Sequence, residues 1–415
     1  MRIPLMLGLI VPFLTLGISS VATAAPLTMA KTTAQGDRPA AISAFVKKYG
    51  PELANSPERR AELDALCRQR DCDASQLFWY TDVEEAKAAA QASGKPILSL
   101  RLLGQLDQDL SCANSRFFRV ALYPNAQISQ LLRDRFVLHW QSVRPAPKVT
   151  VDFGDGRKLE RTLTGNSIHY ILSPDGRPIE ALPGLYGPGA FLKQLKQAEK
   201  AVATYQGTPT DQRDTFLQQY HRDRLTALQN QWTADLTALG IKPPQLDSLE
   251  PDLRTGQNPD AIAAGRIAMT KMVVESPLVL SVMSAAGRNR TALAKVTDQA
   301  AWEKLAQRSP QDAVLDSNSR NLMQRKKGVK TATELQPALQ AFEKSIALDT
   351  VRNEYLLHSQ LHSWFLSNTL GRTRSVDSLN ARVYQELFLT PDADPWLGLV
   401  SPESFSAIDR DGLLP

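Results

Sequence analysis

A cysteine and a serine three positions apart, Cys112 and Ser115, are the residues of this sequence best placed for nucleophilic chemistry. They follow an apolar stretch, 97–103, and a polar loop, so the sequence predicts that Cys112 stands at the start of a helix. A helix N-terminus favours the thiolate form of cysteine, which is the form that attacks disulfides. Cys112 is then either an exposed lone nucleophile or a semi-buried cysteine with a packing role, and we favour the packing role.

The other two cysteines, Cys67 and Cys72, are separated by four residues. A disulfide needs Cα atoms within about 7 Å of each other, and a turn between the two positions allows that approach. In an oxidising compartment an odd number of cysteines leaves one thiol over. We therefore predict that Cys67 pairs with Cys72 and that Cys112 stays free.

Two histidines, His358 and His362, lie four residues apart in a predicted helix, so both side chains project from one face. This spacing lets both bind one metal ion, with Glu354 as the nearest carboxylate for a third ligand. The glutamate that follows the first histidine in the zinc-protease motif is missing. Packed or surface histidines are our preferred interpretation, so we predict no metal and no cofactor. The remaining histidines are isolated in the sequence: His139, His169 and His221.

The composition argues against a nucleic-acid partner. The formal charge of +5 is small for 415 residues, and the basic residues are scattered. The densest basic cluster, at residues 325–330, is typical of a solvated helix end or loop, whereas a nucleic-acid site needs a larger continuous patch. The sequence contains no Gly-rich phosphate loop and no Gly-x-Ser-x-Gly nucleophile elbow.

Strands and helices alternate around Cys112. The predicted order is strand, helix, strand, helix, strand, over residues 77–80, 83–92, 97–103, 128–132 and 136–140. This alternation is typical of a parallel βαβ core. Two β-hairpins and a closing helix are predicted to follow, over residues 149–163, 168–182 and 188–202.

The rest of the chain is predicted to be mostly helical. Two short helices between residues 41 and 67 are separated by a Gly-Pro pair at 50–51. Beyond residue 207, Thr210 is expected to cap a long helix that Gly240 ends. Further helical periodicity covers 261–274, 297–305, 333–348, 351–370 and 376–389. Trp396-Leu397 is expected to anchor the tail onto the helices.

The stretch from residue 77 to about 200 resembles exported thioredoxin-like domains. A Gly-Lys-Pro sequence at 94–96 matches the opening of such domains, and Cys112 falls at the first cysteine of their Cys-x-x-Cys site. Ser115 falls at the second cysteine, and Tyr123 at the aromatic residue eight positions later. The turn at 173–176 matches the late hairpin of these domains.

This resemblance implies a fold class and a domain division. The implied fold is an α/β thioredoxin-like domain over residues 77–205, a mixed central sheet with flanking helices, which carries a β-hairpin insertion near 149–163. An all-α C-terminal domain over residues 206–390 would follow, and then an extended tail over 391–415.

Two departures from the family pattern argue against dithiol chemistry. Ser115 cannot resolve a mixed disulfide as a second cysteine does. The family also places a cis-proline before the late hairpin, facing the active sulfur, and counting back from Gly176 puts that position near Ser167. No proline occurs between Pro147 and Pro174. A non-proline cis bond costs about 3 kcal/mol, so we expect a trans bond and a reshaped site.

The N-terminal residues 1–24 are typical of a secretory signal peptide. A short positive start precedes an apolar run, and an A-x-A cleavage site closes it at residues 22–24. A leader and the short N-terminal helices then occupy residues 25–76. We expect the mature protein to be exported and soluble, in the periplasm if the source is a Gram-negative bacterium and otherwise secreted.

The sequence thus leaves two functional classes. The favoured hypothesis is a non-catalytic protein-binding or scaffold module, derived from a thiol-disulfide oxidoreductase, whose partner is another exported protein. The alternative is a monothiol exchange enzyme with Cys112 as its sole nucleophile. A dithiol oxidoreductase is not expected, and the sequence gives no oligomeric state.

Overall fold

The structure of the protein, a computed structural model, describes residues 38–162, 165–240, 299–367 and 374–388. Several predictions lie outside these ranges: the signal peptide and leader, the helix at 261–274, and the tail with its Trp396-Leu397 anchor. Within the described ranges, no helix has both the length and the apolar character needed to cross a membrane.

Two helices, α1 (Arg38–Leu53) and α2 (Pro57–Cys67), open the described chain. The predicted break at residues 50–51 is wrong, because α1 continues through Pro51 and ends at Leu53. A proline in the last turn removes only one backbone hydrogen bond, so the helix can run past it. The α2 helix begins after Ser56, whose hydroxyl accepts a backbone hydrogen bond at 3.2 Å.

The structure joins Cys67 and Cys72 in a disulfide, with their Cα atoms 6.3 Å apart. The bridge links the end of α2 to a short 3₁₀ turn, Cys72–Ala74. The Cys72 N–H also donates a 2.8 Å hydrogen bond to a carboxylate oxygen of Asp64. The loop between the cysteines is therefore held at both of its ends.

The stretch at residues 77–80 is not the strand that the sequence predicts. Only Tyr80 forms an isolated parallel bridge, to His139. The Trp79 N–H donates at 3.0 Å to the carbonyl of Cys67 rather than to a neighbouring strand. Tyr80 makes both of its backbone hydrogen bonds to residues 138 and 140, so the Trp79 N–H faces away from that stretch and bonds the end of α2 instead.

Six strands follow in the described part of the chain. They are β1 (Ile97–Leu103), β2 (Val137–Arg144), β3 (Lys148–Asp152), β4 (Lys158–Thr162), β5 (Ser167–Leu172) and β6 (Pro178–Pro183). Four of them form a mixed sheet in the order β2-β1-β5-β6, with β1 and β2 parallel and β5 antiparallel to both of its neighbours. Strands β3 and β4 form a separate antiparallel hairpin.

The central strand β1 is buried along its whole length, as expected for a strand covered on both faces. The helices of this part of the chain are α3 (Val83–Ser93), α4 (Ala113–Phe117), α5 (Ala126–Arg135) and α6 (Pro188–Gly207). Helices α3, α5 and α6 contact the sheet. As predicted, Gly94 ends α3, with a φ of 69° in the left-handed region that glycine favours.

The remaining described chain is helical. Its helices are α7 (Arg213–Leu239), α8 (Gln299–Ala306), α9 (Ser317–Lys327), α10 (Ala332–Arg352), α11 (Ser359–Ser367) and α12 (Val376–Arg382). A π turn, Asn353–His358, joins α10 to α11, and a second one, Val383–Leu387, follows α12. Thr210 does not cap α7, because a 3₁₀ turn, Thr210–Gln212, precedes that helix.

One hydrophobic cluster runs from Leu77 to Phe388 and includes side chains of the sheet, of α6 and of α10 to α12. A small second cluster lies between α1, α2 and the disulfide. A third joins Leu236 of α7 to Trp302 of α8. The architecture is therefore mixed α/β followed by a helical region, and the helices pack directly on the sheet.

Candidate functional site

Cys112 occupies the N-cap position of α4, as the sequence predicts. Its N–H donates a 3.0 Å hydrogen bond to the carbonyl of Leu103, the last residue of β1, which fixes the cysteine beside the end of the central strand. The side chain of Cys112 is fully buried and is not part of the disulfide. The strand and helix therefore place the thiol where the sequence predicts it, but without access to solvent.

The thiol of Cys112 is surrounded by uncharged polar groups. Its Sγ lies 2.9 Å from the hydroxyl oxygen of Ser167 and 3.4 Å from that of Ser115. The carbonyl oxygen of Asn166 is 3.7 Å away. The Ser115 hydroxyl oxygen also lies 2.8 Å from the hydroxyl oxygen of Ser111. Each of these side chains is buried, so the cluster is a hydrogen-bonded packing contact.

The second π turn contacts this cluster. The hydroxyl of Tyr384, in that turn, donates a 3.1 Å hydrogen bond to the carbonyl of Asn166, next to Ser167. Arg101 of β1 forms a 2.9 Å ion pair with Asp377 of α12. This pair lies on the opposite face of the sheet, because Ser167 is aligned with Leu102 and the side chains of Arg101 and Leu102 point to opposite faces.

A second polar cluster surrounds the histidines that the sequence singles out. The third group is Glu180 of β6, and the ligand atoms of Glu180, His358 and His362 all lie within 4.8 Å of one another. Nε2 of His358 is 3.0 Å from Oε1 of Glu180, and Nε2 of His362 is 4.0 Å from Oε2. All three side chains are buried. Glu354, the nearest carboxylate in the sequence, contacts the outer nitrogen of His358 at 3.1 Å and lies 3.8 Å from Arg224.

The charge of the second cluster is set by its carboxylates. Burial alone would lower the pKa of His358, but Glu354 and Glu180 outweigh burial and raise it to about 9. Burial likewise would raise the pKa of Glu180, but His362 and His358 hold it well below its usual range. Burial lowers the pKa of His362 well below its usual range. In the absence of another cation, His358 carries a proton between two carboxylates.

His139 and His169 belong to neither cluster. Each shares a 2.8 Å hydrogen bond with one hydroxyl, His139 with Ser99 and His169 with Tyr123. Burial lowers the pKa of both imidazoles to about 3. Both are packed, neutral histidines, and no carboxylate hydrogen-bonds to either ring.

Sequence reasoning missed two members of the second cluster, Glu180 and His221. His221 is isolated in the sequence but not in space, because its Nδ1 lies 2.9 Å from Nδ1 of His362. Glu180 carried a signal: it is the only charged residue in a strand, Pro178–Pro183, that is otherwise apolar. A carboxylate in a fully buried strand needs a partner of opposite charge.

These two buried clusters are the candidate functional sites of the described residues. The first is neutral and closed, and the second holds opposite charges around converging ligand atoms. Comparison of the chain with protein-family models, with curated proteins and with solved structures found no match.

Proposed function

We propose that this chain is an exported thioredoxin-like protein without thiol-disulfide chemistry of its own, which acts as a binding or scaffold module for another exported protein. The observation that carries the proposal is the complete burial of Cys112. Thiol-disulfide exchange requires the attacking sulfur to touch a substrate sulfur. A thiol without exposed surface offers no such contact.

The arrangement of elements supports a thioredoxin-like frame. The parallel strands β1 and β2 flank Cys112 in the chain, and β5 and β6 form the antiparallel hairpin expected late in such a domain. Ser167, at the position where the family has its cis-proline, lies 2.9 Å from the Cys112 sulfur. Peptide bonds are trans throughout the described residues. A serine therefore lies beside the Cys112 sulfur, where the family has its proline.

The missing second cysteine supports the loss of chemistry. Asp377 and Asn380 of α12 contact Arg101 and Tyr170, which project from the sheet face opposite to Ser167. Of the described C-terminal residues, Tyr384 reaches the Cys112 cluster, through the carbonyl of Asn166. Ser115 removes the resolving thiol as well, so the burial of Cys112 and the missing second thiol each argue against exchange.

Export is supported by two independent features of the chain. Residues 1–24 have the pattern of a secretory signal peptide. The disulfide between Cys67 and Cys72 is of a kind that persists in oxidising compartments. A partner met outside the cytoplasm is therefore part of the proposal.

Thiol labelling tests the proposal directly. Native protein should react with a maleimide only as fast as it unfolds, whereas protein in denaturant should take up one label per chain. A Cys112→Ala variant controls for labelling elsewhere and should take up none in either state. Rapid labelling of native wild-type protein with one equivalent would contradict the proposal and favour the monothiol alternative.

Partner capture separates the two functional classes in a second way. Immobilised wild-type protein and the Cys112→Ala variant should retain the same partner from an exported fraction in equal amounts, with or without reductant. The monothiol alternative requires a mixed disulfide, so capture would then disappear in Cys112→Ala and in the presence of reductant.

A further inference from the structure

We propose that Glu180, His358 and His362 form a binding site for one divalent metal ion of the zinc class, with three protein ligands and one further position. The three residues come from two distant parts of the chain: Glu180 from β6, and the histidines from the π turn and α11. Four-residue spacing places both imidazoles on one helix face, and that face is turned towards β6. This inference is independent of the proposed function.

The separations between the ligand atoms suit such an ion. Zinc binds imidazole nitrogen and carboxylate oxygen at about 2.0–2.2 Å, so two ligands of a tetrahedral site lie roughly 3.4 Å apart. The His358 nitrogen is 3.0 Å and the His362 nitrogen 4.0 Å from the Glu180 oxygens. All three ligand atoms lie within 4.8 Å of one another, so the side chains have to close in on the ion, without any change in the backbone elements that carry them.

Each of the three ligands is also held by an outer partner. The second nitrogen of His358 contacts Glu354 at 3.1 Å, and Glu180 accepts a 2.6 Å hydrogen bond from the hydroxyl of Tyr220. Nδ1 of His362 lies 2.9 Å from Nδ1 of His221. Carboxylates and other groups that fix the free nitrogen of a ligating histidine are the usual second layer of a zinc site.

A buried nitrogen without a partner points into this site. Nε2 of His362 makes no hydrogen bond in the structure, although its side chain is 0% exposed. His139 and His169 also have one unbonded ring nitrogen each, but neither belongs to a group of possible ligands. Across the described ranges, Glu180, His358 and His362 are the one set of three such groups. A metal ion would give Nε2 of His362 a partner, and the ligand atoms of Glu180 and His358 already lie close to that nitrogen.

The ligand types select the class of ion. Two imidazoles and one carboxylate suit zinc and similar transition metals, whereas calcium and magnesium prefer oxygen ligands throughout. The ion would tie β6 to α11 and so hold the helical region on the sheet. A cavity of about 310 Å³ is lined in part by Glu354, whose carboxylate contacts the outer nitrogen of His358.

Metal content of the purified chain tests the proposal. The protein, freed of any affinity tag, is stripped with chelator in mild denaturant, refolded, and titrated with zinc. We expect one zinc per chain by elemental analysis, a higher melting temperature, and a visible absorption band on substitution with cobalt. All five histidines of the chain are buried, so surface histidines cannot supply a rival site.

Matched variants locate the ion. His362→Gln should abolish stoichiometric binding, whereas His169→Gln, which replaces an equally buried histidine outside the cluster, should bind zinc as the wild type does. Tyr220→Phe keeps all three ligands and should weaken affinity roughly 10- to 100-fold, so it remains informative if His362→Gln does not fold. The proposal is overturned if the refolded wild type binds no zinc, or if His362→Gln and wild type bind it equally.

Discussion

The two buried polar clusters of this protein, around Cys112 and around Glu180, both join the sheet to the C-terminal helices, yet they differ in charge. The groups that contact the Cys112 sulfur are hydroxyls and a backbone carbonyl, all neutral. Around Glu180, a carboxylate with a depressed pKa faces two imidazoles, and a second carboxylate, Glu354, stands behind one of them. The two clusters are therefore equally buried but electrostatically unlike.

Packing alone explains the contacts of Cys112, whereas the buried carboxylate of Glu180 requires a positive charge beside it. A neutral thiol behaves as a small apolar group, so its burial costs little. A buried carboxylate costs several kcal/mol unless an opposite charge is bound close to it. Either the proton on His358 or a metal ion can provide that charge, and the Cys112 cluster needs neither. Burial therefore removes the thiol of the first cluster from reaction, and in the second cluster it makes a positive charge beside Glu180 necessary.

The largest effect is expected from removing the charge at the centre of the second cluster. Glu180→Ala should lower the free energy of unfolding by about 3–5 kcal/mol, because it leaves His358 and the neighbouring imidazoles without their buried partner. Cys112→Ala should cost about 1–2 kcal/mol, as for removal of a small buried group. Urea unfolding at pH 7 in chelating buffer measures both. Equal losses in the two variants would remove the distinction between the clusters.

His139 provides a third case, a buried imidazole with neither carboxylate nor cation bonded to it. Burial, and then Arg101, lowers its pKa to about 3 from the usual 6.5. Between these values the unfolded chain binds a proton that the folded chain does not. The stability that neutral His139 provides is therefore present above pH 6.5 and is lost as the pH falls towards 3.

His139→Gln should weaken this acid sensitivity. From pH 7 to pH 4.5 the variant should lose about 2 kcal/mol less unfolding free energy than the wild type. Ser99→Ala is the matched control, because it removes the same 2.8 Å hydrogen bond but keeps the imidazole. That control should retain the full pH dependence. If His139→Gln tracks the wild type instead, the imidazole is already accessible to protons in the folded state.

Local pattern was enough to predict the frame around Cys112. The apolar run of β1, the N-cap position of Cys112 and the Ser173–Gly176 turn of the late hairpin all depend on neighbouring residues. The stretch at 77–80 shows the limit of such patterns. Its aromatic composition favours a strand, but only Tyr80 pairs with β2, and the Trp79 N–H bonds the last residue of α2.

The second cluster could be predicted only in part, because its members are far apart in the chain. Helical spacing found His358 and His362, which are four residues apart. Glu180 is 178 residues from His358, and His221 is 141 from His362, so only the packing of α7 and α11 on β6 brings them together. The cover over Cys112 is equally non-local, since Tyr384 lies 218 residues from Asn166. Sequence spacing alone therefore could not predict that the Cys112 thiol is buried.

The smallest effect is expected for a substitution at Ser115, the position at which a dithiol site has its second cysteine. Ser115→Cys restores a second thiol three residues after Cys112, in a buried position beside its sulfur. If burial is what excludes thiol chemistry, the variant should show no disulfide reductase activity. It should lose about 1 kcal/mol of stability from the larger sulfur atom.

The matched control for that variant is Ser129→Cys, which adds one buried thiol on α5, far from Cys112 in the chain. Both variants should fail to react with maleimide in the native state and should be indistinguishable in a reductase assay. Activity in Ser115→Cys alone would mean that substrate sulfur reaches Cys112 despite its burial. The missing resolving thiol, rather than burial, would then be the reason for inactivity, and the Cys112 cluster would again be a candidate reactive site.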